Sequence, residues 1–370
     1  MRAAPGQMVA GRYRVTDRPG IGVAAQDLRT GGQVLLHALE LPELLIPGQP
    51  MAEPDPEYGP RIALRVAQEV AAAPRHPRLL VGVDVVAERD SLWVAEERLP
   101  GARLSELAVE GPVPPYRVAE LGADLAGALR ALHEAGLPHG NVTAESVLVC
   151  EDGAALLGGL LLGVAEETLC SALGGPVPRR VYEARAVLLG PRAERWPPDA
   201  GPAADCWALG VLLYRLLTGY GPYPEDDLPT LLAAVRDGRT HPADGCGPLR
   251  PLVERLLTVD PAGRPDAVQI QRELRELLVG APEPFGPEPA APPLLPVRRP
   301  DGPVVPYRRS AAGRTLGRTA GPGAGAEPSA ELTHRHRASR VPPALLGPLL
   351  VGGVLVALLA ALAAVVMVSG

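Results

Sequence analysis

The sequence predicts an α+β fold of two lobes, followed by a disordered linker and a single C-terminal transmembrane helix. Short apolar segments separated by turn residues dominate the first part of the chain, which indicates a small strand-rich lobe at about residues 10–98. Apolar residues at three- and four-residue steps then predict a larger, helix-rich lobe at about residues 102–280. A Pro-, Ala-, Gly- and Arg-rich segment at 281–343 indicates the linker, and the apolar run at 344–368 indicates the membrane helix.

The composition is that of a globular chain and limits its chemistry. Hydrophobic residues make up 46% of the 370 residues, which is enough for a substantial core. The formal net charge is −6, and all 36 basic residues are Arg because the sequence contains no Lys. Any mechanism that depends on a Lys ammonium group is therefore excluded.

The cysteines do not form a metal-binding pattern. Cys150, Cys170, Cys206 and Cys246 are too far apart in the sequence for the paired spacing of metal ligands. We interpret them as buried or unused thiols in a reducing compartment.

The small lobe is predicted to open with a β-hairpin. Val23–Asp27 and Val34–Leu39 flank a turn at Gly31-Gly32, and Arg12–Val15 supplies a preceding strand. Further elements of this lobe are expected as a helix at Ile62–Ala73 and strands at Leu79–Val83 and Leu92–Glu96.

The large lobe is predicted to be organised around a buried helix. Asp205–Gly219 is apolar on nearly every face, which places it inside the lobe rather than on its surface. The amphipathic segment Tyr116–Ala135 ends at Gly136 and leads into a polar loop at Leu137–Val149. Further helices are expected near Leu228–Arg236, Leu249–Thr258 and Ala267–Leu278.

The order and spacing of these segments resemble a bacterial serine/threonine protein kinase of the eukaryotic-like type over about residues 10–280. The polar loop occupies the place of the kinase catalytic loop, and the helix that contains Asp205 is the strongest match. The resemblance implies a two-lobed protein-kinase-like fold with a nucleotide cleft between the lobes.

The resemblance also implies that the chemical groups of a kinase are missing. His37 stands at the position of the phosphate-pairing Lys, and Asn141 at that of the Asp that receives the substrate hydroxyl proton. Ser146 and Gly159 stand at the two positions whose side chains hold magnesium. An amide cannot ionise, and a glycine offers no side-chain ligand. We therefore expect no intact catalytic site, no bound metal and no required cofactor, with ATP in the absence of magnesium as a candidate ligand.

Other functional positions are altered as well. Gly20 and Gly22 occupy the place of the glycine-rich phosphate loop, but their spacing is more typical of a hairpin turn than of a phosphate cradle. The helix position of the Glu that pairs with the kinase Lys falls on Ala67. Glu166 and Glu167 lie downstream of the metal positions and are interpreted as solvated loop charges.

Three residues are expected to have structural roles. The resemblance implies that Asp205 caps its helix and holds the backbone of the loop that contains His139. Arg264 matches an Arg that pairs with a Glu in the family. The equivalent of that Glu, in the segment Val181–Ala186, is Ala186, so Arg264 needs another partner or water.

The C-terminal segment predicts attachment to a membrane. Leu345–Val368 contains no charged residue, and about 24 residues at roughly 1.5 Å each suffice to cross a bilayer. The basic flank His334–Arg340 is assigned to the cytoplasmic side by the positive-inside rule, and the start of the chain lacks a signal peptide. We predict a single-pass protein of the cell membrane with its two lobes in the cytoplasm. The Arg-rich linker is a candidate contact for anionic lipid, and plain solubility of the linker is the alternative.

These observations favour a membrane-tethered pseudokinase without efficient phosphoryl transfer, and the resemblance to actinobacterial pseudokinases implies a scaffold or regulator in cell-envelope synthesis or signalling. Two alternatives stay open: a weak or atypical serine/threonine kinase that uses His37 and Asp152, and a metal-independent nucleotide-sensing switch. The resemblance to actinobacterial pseudokinases implies protein partners, such as an active kinase or a phosphothreonine-reading domain, and no nucleic acid. Ser310, Thr315 and Thr319 each follow an Arg and are candidate phosphorylation sites.

Overall fold

A computed structural model describes residues 4–17, 22–41, 56–174, 178–281, 296–298 and 304–306. These residues belong to one compact unit, Met1–Ala311. The predicted membrane helix and most of the predicted linker lie outside them. Among the described residues, no helix combines the length and apolarity that a membrane span requires.

The small lobe is an antiparallel sheet with one helix packed on it. Its six strands run in the order β1-β2-β3-β4-β6-β5 across the sheet. The strands are β1 Met8–Val9, β2 Tyr13–Asp17, β3 Val23–Asp27, β4 Gln33–Glu40, β5 Asp84–Glu88 and β6 Ser91–Glu97. Helix α1, Tyr58–Glu69, packs its buried Ile62 and Val66 against sheet residues that include Val85 and Leu92. The sheet therefore starts two residues before the predicted lobe boundary at residue 10.

The large lobe is a helical assembly, as its periodicity predicts. Its helices are α2 Leu104–Leu107, α3 Pro115–Glu134, α4 Leu160–Gly174, α5 Pro178–Leu189, α6 Pro202–Thr218, α7 Leu228–Arg236, α8 Arg250–Leu256 and α9 Ala267–Val279. Helix α6 is central, since Trp207, Leu212 and Tyr214 are each fully buried. The prediction of a buried central helix is thus confirmed.

A small sheet next to the cleft positions the polar loop. Strands β7 Ala102–Arg103, β8 Val147–Val149 and β9 Ala155–Leu157 pair in that order. The loop therefore runs from the end of α3 to the start of β8, and β9 leads directly into the segment that contains Gly159.

Three predictions about local structure are wrong. Asp205 does not cap its helix, because α6 begins at Pro202 after Gly201 and Asp205 lies inside its first turn. Glu166 and Glu167 are not in a loop, because Leu160–Gly174 is helical. Leu79–Val83 is not a strand, since Leu79 makes only an isolated bridge to Leu157 and β5 begins at Asp84. Within the segment predicted as a linker, β10 Pro296–Arg298 and β11 Val304–Pro306 pair antiparallel.

Candidate functional site

The polar loop is held in place from the core of the large lobe. The Asp205 carboxylate accepts hydrogen bonds from the backbone N–H groups of His139 and Gly140, both at 2.7 Å. It also lies 2.9 Å from His133 Nε2 on α3. Asp205 is 1% exposed, so these contacts satisfy a carboxylate that burial would otherwise penalise. The loop geometry thus depends on α6.

His139 has a structural environment. Its imidazole is buried, and its Nδ1 accepts a hydrogen bond from the backbone N–H of Asn141 at 3.2 Å. Burial lowers the pKa of His139 to about 4, because the charged imidazolium is disfavoured away from water. His139 is therefore neutral at physiological pH and braces the loop.

Asn141 uses both ends of its side-chain amide. Its Nδ2 donates to the backbone oxygen of Gly159 at 3.0 Å, and its Oδ1 accepts a hydrogen bond from Arg195 Nη1. The side chain is 6% exposed. The group at the position of the kinase proton acceptor is thus neutral, buried and engaged on both sides.

Ser146 is engaged within its own loop. Its Oγ donates to the backbone oxygen of Thr143 at 2.9 Å and accepts from the backbone N–H of Thr143 at 3.1 Å. Both residues are buried. The hydroxyl that stands at a metal position therefore closes a local turn.

Gly159 makes a close backbone contact at the other metal position. Its φ is +78°, and a Cβ at this residue would lie 2.8 Å from Asn141 Nδ2. Its backbone N–H donates to Glu96 Oε1 at 2.6 Å. Both the backbone conformation and the space at this position favour glycine.

His37 lies next to an acidic residue, Glu96, that the sequence analysis did not predict as its partner. Its Nε2 lies 3.4 Å from Glu96 Oε2, and Arg103 Nη2 lies 3.3 Å from the same oxygen. Burial disfavours the charged form of Glu96, but His37, Arg103 and the Gly159 N–H outweigh it and lower its pKa to about 2. Glu96 is thus an ionised, buried carboxylate between the lobes. Ala67 and Glu69 of α1, at and near the expected position of that partner, are exposed.

A buried ion pair joins the loop to α4. Arg195 Nη2 donates to Glu166 Oε2 while Nη1 donates to Asn141, and the Arg195 side chain is 8% exposed. Burial raises the pKa of Glu166, although Arg195 acts in the opposite direction. Glu166 is therefore a cleft residue and not a solvated charge.

A cleft of about 410 Å³ is lined by side chains from both lobes, among them His37, Glu96, Asn141, Glu166 and Arg195. Every arginine that lines it is paired with a glutamate that lines it. The pairs are Arg103–Glu96, Arg192–Glu145 and Arg195–Glu166. Asp152, by contrast, does not line the cleft; it lies in the β8–β9 turn and accepts from the backbone N–H of Ala154 at 2.9 Å.

The residues at the two kinase metal positions do not fit a magnesium ion. Ser146 Oγ is committed to the Thr143 backbone, and Gly159 has no side chain. Asn141 Oδ1, the nearby amide oxygen, already accepts from Arg195. Within the described part of the chain, no group of three or more His, Cys, Asp or Glu side chains is arranged to hold a metal ion.

Arg264 has the alternative partner that the sequence requires. Its Nη1 lies 2.9 Å from Asp199 Oδ1, and its Nη2 donates to the Thr258 backbone oxygen at 2.9 Å. The side chain is fully buried. Val181–Ala186, where the resemblance places the usual partner, lies within helix α5.

The glycine-rich turn is only partly described. Gly20 lies outside the described residues. Gly22 has a φ of +75°, and a Cβ there would lie 2.9 Å from the Leu36 backbone oxygen. Gly22 therefore fits the close approach of two hairpin strands.

Glu96 and Arg195 were not identified as cleft residues by the sequence analysis, and Glu166 was interpreted there as a solvated loop charge. Side chains alternate along a strand, so Glu96 lies on the same face of β6 as Val94. Val94 pairs with His37 on β4. This alternation was the sequence signal that could have placed Glu96 near His37. Apolar spacing over 160–174 was a signal for the helix that carries Glu166. Nothing in the local sequence distinguishes Arg195 from the other arginines.

Comparison with known proteins identifies the family. The family model described as the protein kinase domain matches residues 63–274, more than half of the chain. The chain is 30% identical over 199 residues to the serine/threonine-protein kinase AfsK of Streptomyces coelicolor, covering 51% of this chain and 23% of AfsK. It is 28% identical over 276 residues to the serine/threonine-protein kinase PkaA of the same organism, covering 70% of this chain and 49% of PkaA.

A third relative is mycobacterial. The chain is 35% identical over 137 residues to the serine/threonine-protein kinase PknL of Mycobacterium tuberculosis, covering 36% of this chain and 32% of PknL. The chain thus spans less than half of the length of each of these relatives. It belongs to the protein kinase domain family, among bacterial serine/threonine kinases of the eukaryotic-like type.

Proposed function

We propose that this chain is a pseudokinase that acts by binding partners and does not transfer phosphate efficiently. The observation that carries the proposal is that both polar atoms of the Asn141 side chain are hydrogen-bonded. Its Oδ1 accepts from Arg195, and its Nδ2 donates to the Gly159 backbone oxygen. Phosphoryl transfer needs a group to receive the substrate proton and metal ions to neutralise developing phosphate charge. Neither requirement is met by the residues at the corresponding positions.

The direct test is phosphate transfer from labelled ATP by the purified full chain, with Mg²⁺ or Mn²⁺ and a broad panel of Ser/Thr peptides. We expect incorporation at background, unchanged by Asn141→Ala. Transfer above background that disappears in Asn141→Ala would contradict the proposal.

Nucleotide binding separates the pseudokinase models. We expect calorimetric titration with ATP and Mg²⁺ to give no saturable heat. Binding that needs Mg²⁺ contradicts the proposal, whereas binding that persists in EDTA favours the metal-independent nucleotide switch. In that model the phosphates would compete with glutamates for Arg103, Arg192 and Arg195.

A weak serine/threonine kinase is the second candidate, favoured by the position of Glu166 in the cleft. A carboxylate there is a potential metal ligand, whereas Asp152 lies in a turn outside the cleft. This candidate predicts transfer that Glu166→Gln abolishes and Asp152→Ala leaves unchanged. Equal transfer by the two variants would remove Glu166 from the mechanism.

We also propose that the chain is tethered to the membrane through Leu345–Val368, on the basis of its uncharged composition and basic flank. Deleting 344–370 is expected to move the protein from the membrane fraction to the soluble fraction of cells. Unchanged fractionation would refute the tether.

The partners proposed for the scaffold are an active kinase and a phosphothreonine-reading domain, in cell-envelope synthesis or its signalling. Ser310, Thr315 and Thr319 each follow an Arg and supply candidate phosphorylation sites. Phosphopeptide mapping from cells should find at least one of them modified, and an unmodified segment would remove this version of the scaffold model.

A further inference from the structure

A second cavity lies in the large lobe, apart from the cleft. It measures about 400 Å³, lies between the ends of α7 and α8, and shares no lining residue with the cleft. Its floor is apolar: Leu257 and Ala243 are buried there, and Val259 keeps 37% of its surface exposed. A Cβ on Gly238 would lie 3.0 Å from Val259 Cγ2, so glycine at this turn leaves room for Val259. The cavity therefore presents apolar surface to a ligand from solvent.

The rim of this cavity is acidic. Apart from His241, its charged lining residues are Glu254 and Asp260, and both are exposed. Asp260 Oδ1 accepts from the backbone N–H of Ala262 at 2.9 Å, and in the part of the chain that the structure describes no arginine pairs with Asp260. The neighbouring arginines are already paired: Arg250 with Glu254 and Asp244, Arg239 with Asp237, and Arg255 with Glu273. The rim therefore carries uncompensated negative charge at Asp260.

An apolar floor with an acidic rim fits an arginine side chain from an extended peptide. The methylene stem of an arginine covers apolar surface while its guanidinium reaches a polar edge. The planar guanidinium matches a carboxylate and can donate two hydrogen bonds to it. Residues two positions apart lie on the same side of an extended peptide. An apolar residue at that spacing from the arginine would therefore meet the floor as well.

The chain itself contains a segment with this pattern. Residues 307–319 lie outside the described residues and contain four Arg and no acidic residue. Within them, Arg314 and Leu316 are two positions apart. Helix α9 begins at Ala267, close in sequence to Asp260, and its 13 residues span about 20 Å. The roughly 30 residues between the end of α9 and Arg314 extend up to about 100 Å, so the segment can reach the cavity.

We propose that segment 307–319 docks in this cavity, with the Arg314 guanidinium at Asp260 and Leu316 on Val259. Covalent linkage to the large lobe keeps the segment at a high effective concentration, so individually weak contacts suffice. Docking goes beyond the proposed function, because it requires neither a nucleotide nor phosphate transfer.

Docking gives phosphorylation of the segment a physical consequence. Thr315 lies between the two anchor residues Arg314 and Leu316. A phosphate there adds about −1.5 to −2 charge beside the acidic rim. Phosphorylation is therefore expected to release the segment from the large lobe. This consequence rests on the proposed function, in which a partner kinase modifies the segment, whereas docking itself does not.

The absence of lysine from the chain makes the docking directly measurable. Arg314→Lys keeps the positive charge and introduces a single ε-amine. A carbodiimide joins that amine to a carboxylate in contact with it, and peptide mass spectrometry of the full chain identifies the carboxylate. We expect amide formation at Glu254 and Asp260 together to exceed that at Glu276 about fivefold or more. Glu276 is a stringent reference, because it is more exposed than Glu254 and likewise pairs with an arginine four residues away on its helix.

The matched control is Arg340→Lys, which places the single ε-amine outside segment 307–319. Its yields at the two rim acids and at Glu276 should agree within about twofold, because exposure alone then decides them. In the Arg314→Lys chain, Leu316→Ser should lower the yield at the rim acids by about half or more, since it removes the apolar anchor. Thr315→Glu should lower it as well, because it adds negative charge beside the rim.

Four results would overturn the docking. The first is a yield at Glu254 and Asp260 no higher than at Glu276, and the second is the same preference for the rim acids in Arg340→Lys. The third is a yield that Leu316→Ser leaves unchanged, because charge alone would then account for the contact. The fourth is a linked product of twice the chain mass, which would assign the cavity to the segment of a second copy. None of these results depends on phosphate transfer, so docking and the proposed function fail separately.

Discussion

At the scale of single residues, the Asn141 amide makes two contacts that a carboxylate in its place could not both make. Its Nδ2 donates to the Gly159 carbonyl, and a carboxylate in that place has no proton to donate. Its Oδ1 accepts a hydrogen bond from the Arg195 guanidinium, and the amide does so while it stays neutral. The amide therefore completes a hydrogen-bond network that holds the loop, β9 and the turn before α6 together.

Asn141→Ala should reduce stability by about 2 kcal/mol, because the change deletes a donor and an acceptor whose partners stay buried. Urea unfolding of the purified chain measures the difference. Gln68→Ala, which removes an exposed amide on α1, is the matched control and should change stability by less than about 0.5 kcal/mol. Equal effects from the two substitutions would mean that the Asn141 contacts contribute nothing.

Glu96 should make the folded state sensitive to acid. The pKa of Glu96 in the folded state is about 2, below the ordinary value of 4.5. The ionised carboxylate therefore stabilises the folded state fully above about pH 4.5, and this stabilisation is lost as the pH falls from about 4.5 to about 2. The contribution at neutral pH is on the order of 3 kcal/mol as an upper estimate.

Glu96→Gln should therefore be less stable than the unsubstituted chain at about pH 6, with the gap narrowing toward about pH 3. Denaturant unfolding at several pH values checks this, with the exposed neighbour Glu97→Gln as control. A gap that does not depend on pH would contradict the assignment.

At the scale of elements, α4 decides the character of the cleft. The kinase resemblance indicates a loop after Gly159, but Leu160–Gly174 is rich in Leu and Ala and has no Pro, which favours a helix. Its apolar residues pack toward α1, and Glu166 reaches Arg195. A regular helix thus begins directly after Gly159, the position at which a kinase carries a metal ligand.

Gly82→Ala should destabilise the packing of α4, since the new Cβ would lie 2.5 Å from Leu161 Cδ2 and 2.6 Å from Leu161 Cβ. Overpacking of this kind costs about 1–3 kcal/mol. Thermal unfolding measures it. Gly263→Ala is the control, because a Cβ there meets nothing within 4 Å.

A second substitution identifies the clash as the cause. Leu161→Ala combined with Gly82→Ala should recover part of the loss, because it removes the crowded side chain. If the double substitution recovers no stability, the loss caused by Gly82→Ala does not come from the contact with Leu161.

At the scale of the whole molecule, the two lobes share apolar contacts through α4. The large-lobe core surrounds α6, and the cluster containing Ile62, Val66 and Leu92 also includes Leu161. Lobes joined in this way should unfold together, because neither can expose the shared cluster alone.

A fragment ending at residue 311 should unfold in one transition, within about 2 °C of the corresponding transition of the full chain, since the described cores lie within Met1–Ala311. Differential scanning calorimetry of both proteins tests this. A large fall in the midpoint would show that the omitted segment stabilises the lobes.

Much of the fold was predictable because its signals are local. The spacing of apolar residues located α3, α6, α7 and α9 to within one or two residues, except for the start of α6. The boundary error at Asp205 has a simple cause: an acidic residue near a helix start looks like a cap, but the helix already begins at Pro202.

The candidate site was less predictable because its contacts are distant in sequence. His37 was placed correctly in a strand, but its partner Glu96 is determined by the pairing of β4 with β6. Arg264 was recognised as lacking its usual partner, while Asp199 became available only through the turn before α6. Pattern and spacing do not specify such pairings.

The sequence by itself determined the two-lobed framework, the absence of lysine and the neutral residues Asn141, Ser146 and Gly159, because residue identity and periodicity are properties of the linear chain. Only the tertiary structure decided that Arg195 meets Asn141 and Glu166. The reason is physical: an ion pair depends on distance and burial, and both are set by how α4 and the turn before α6 pack against the loop.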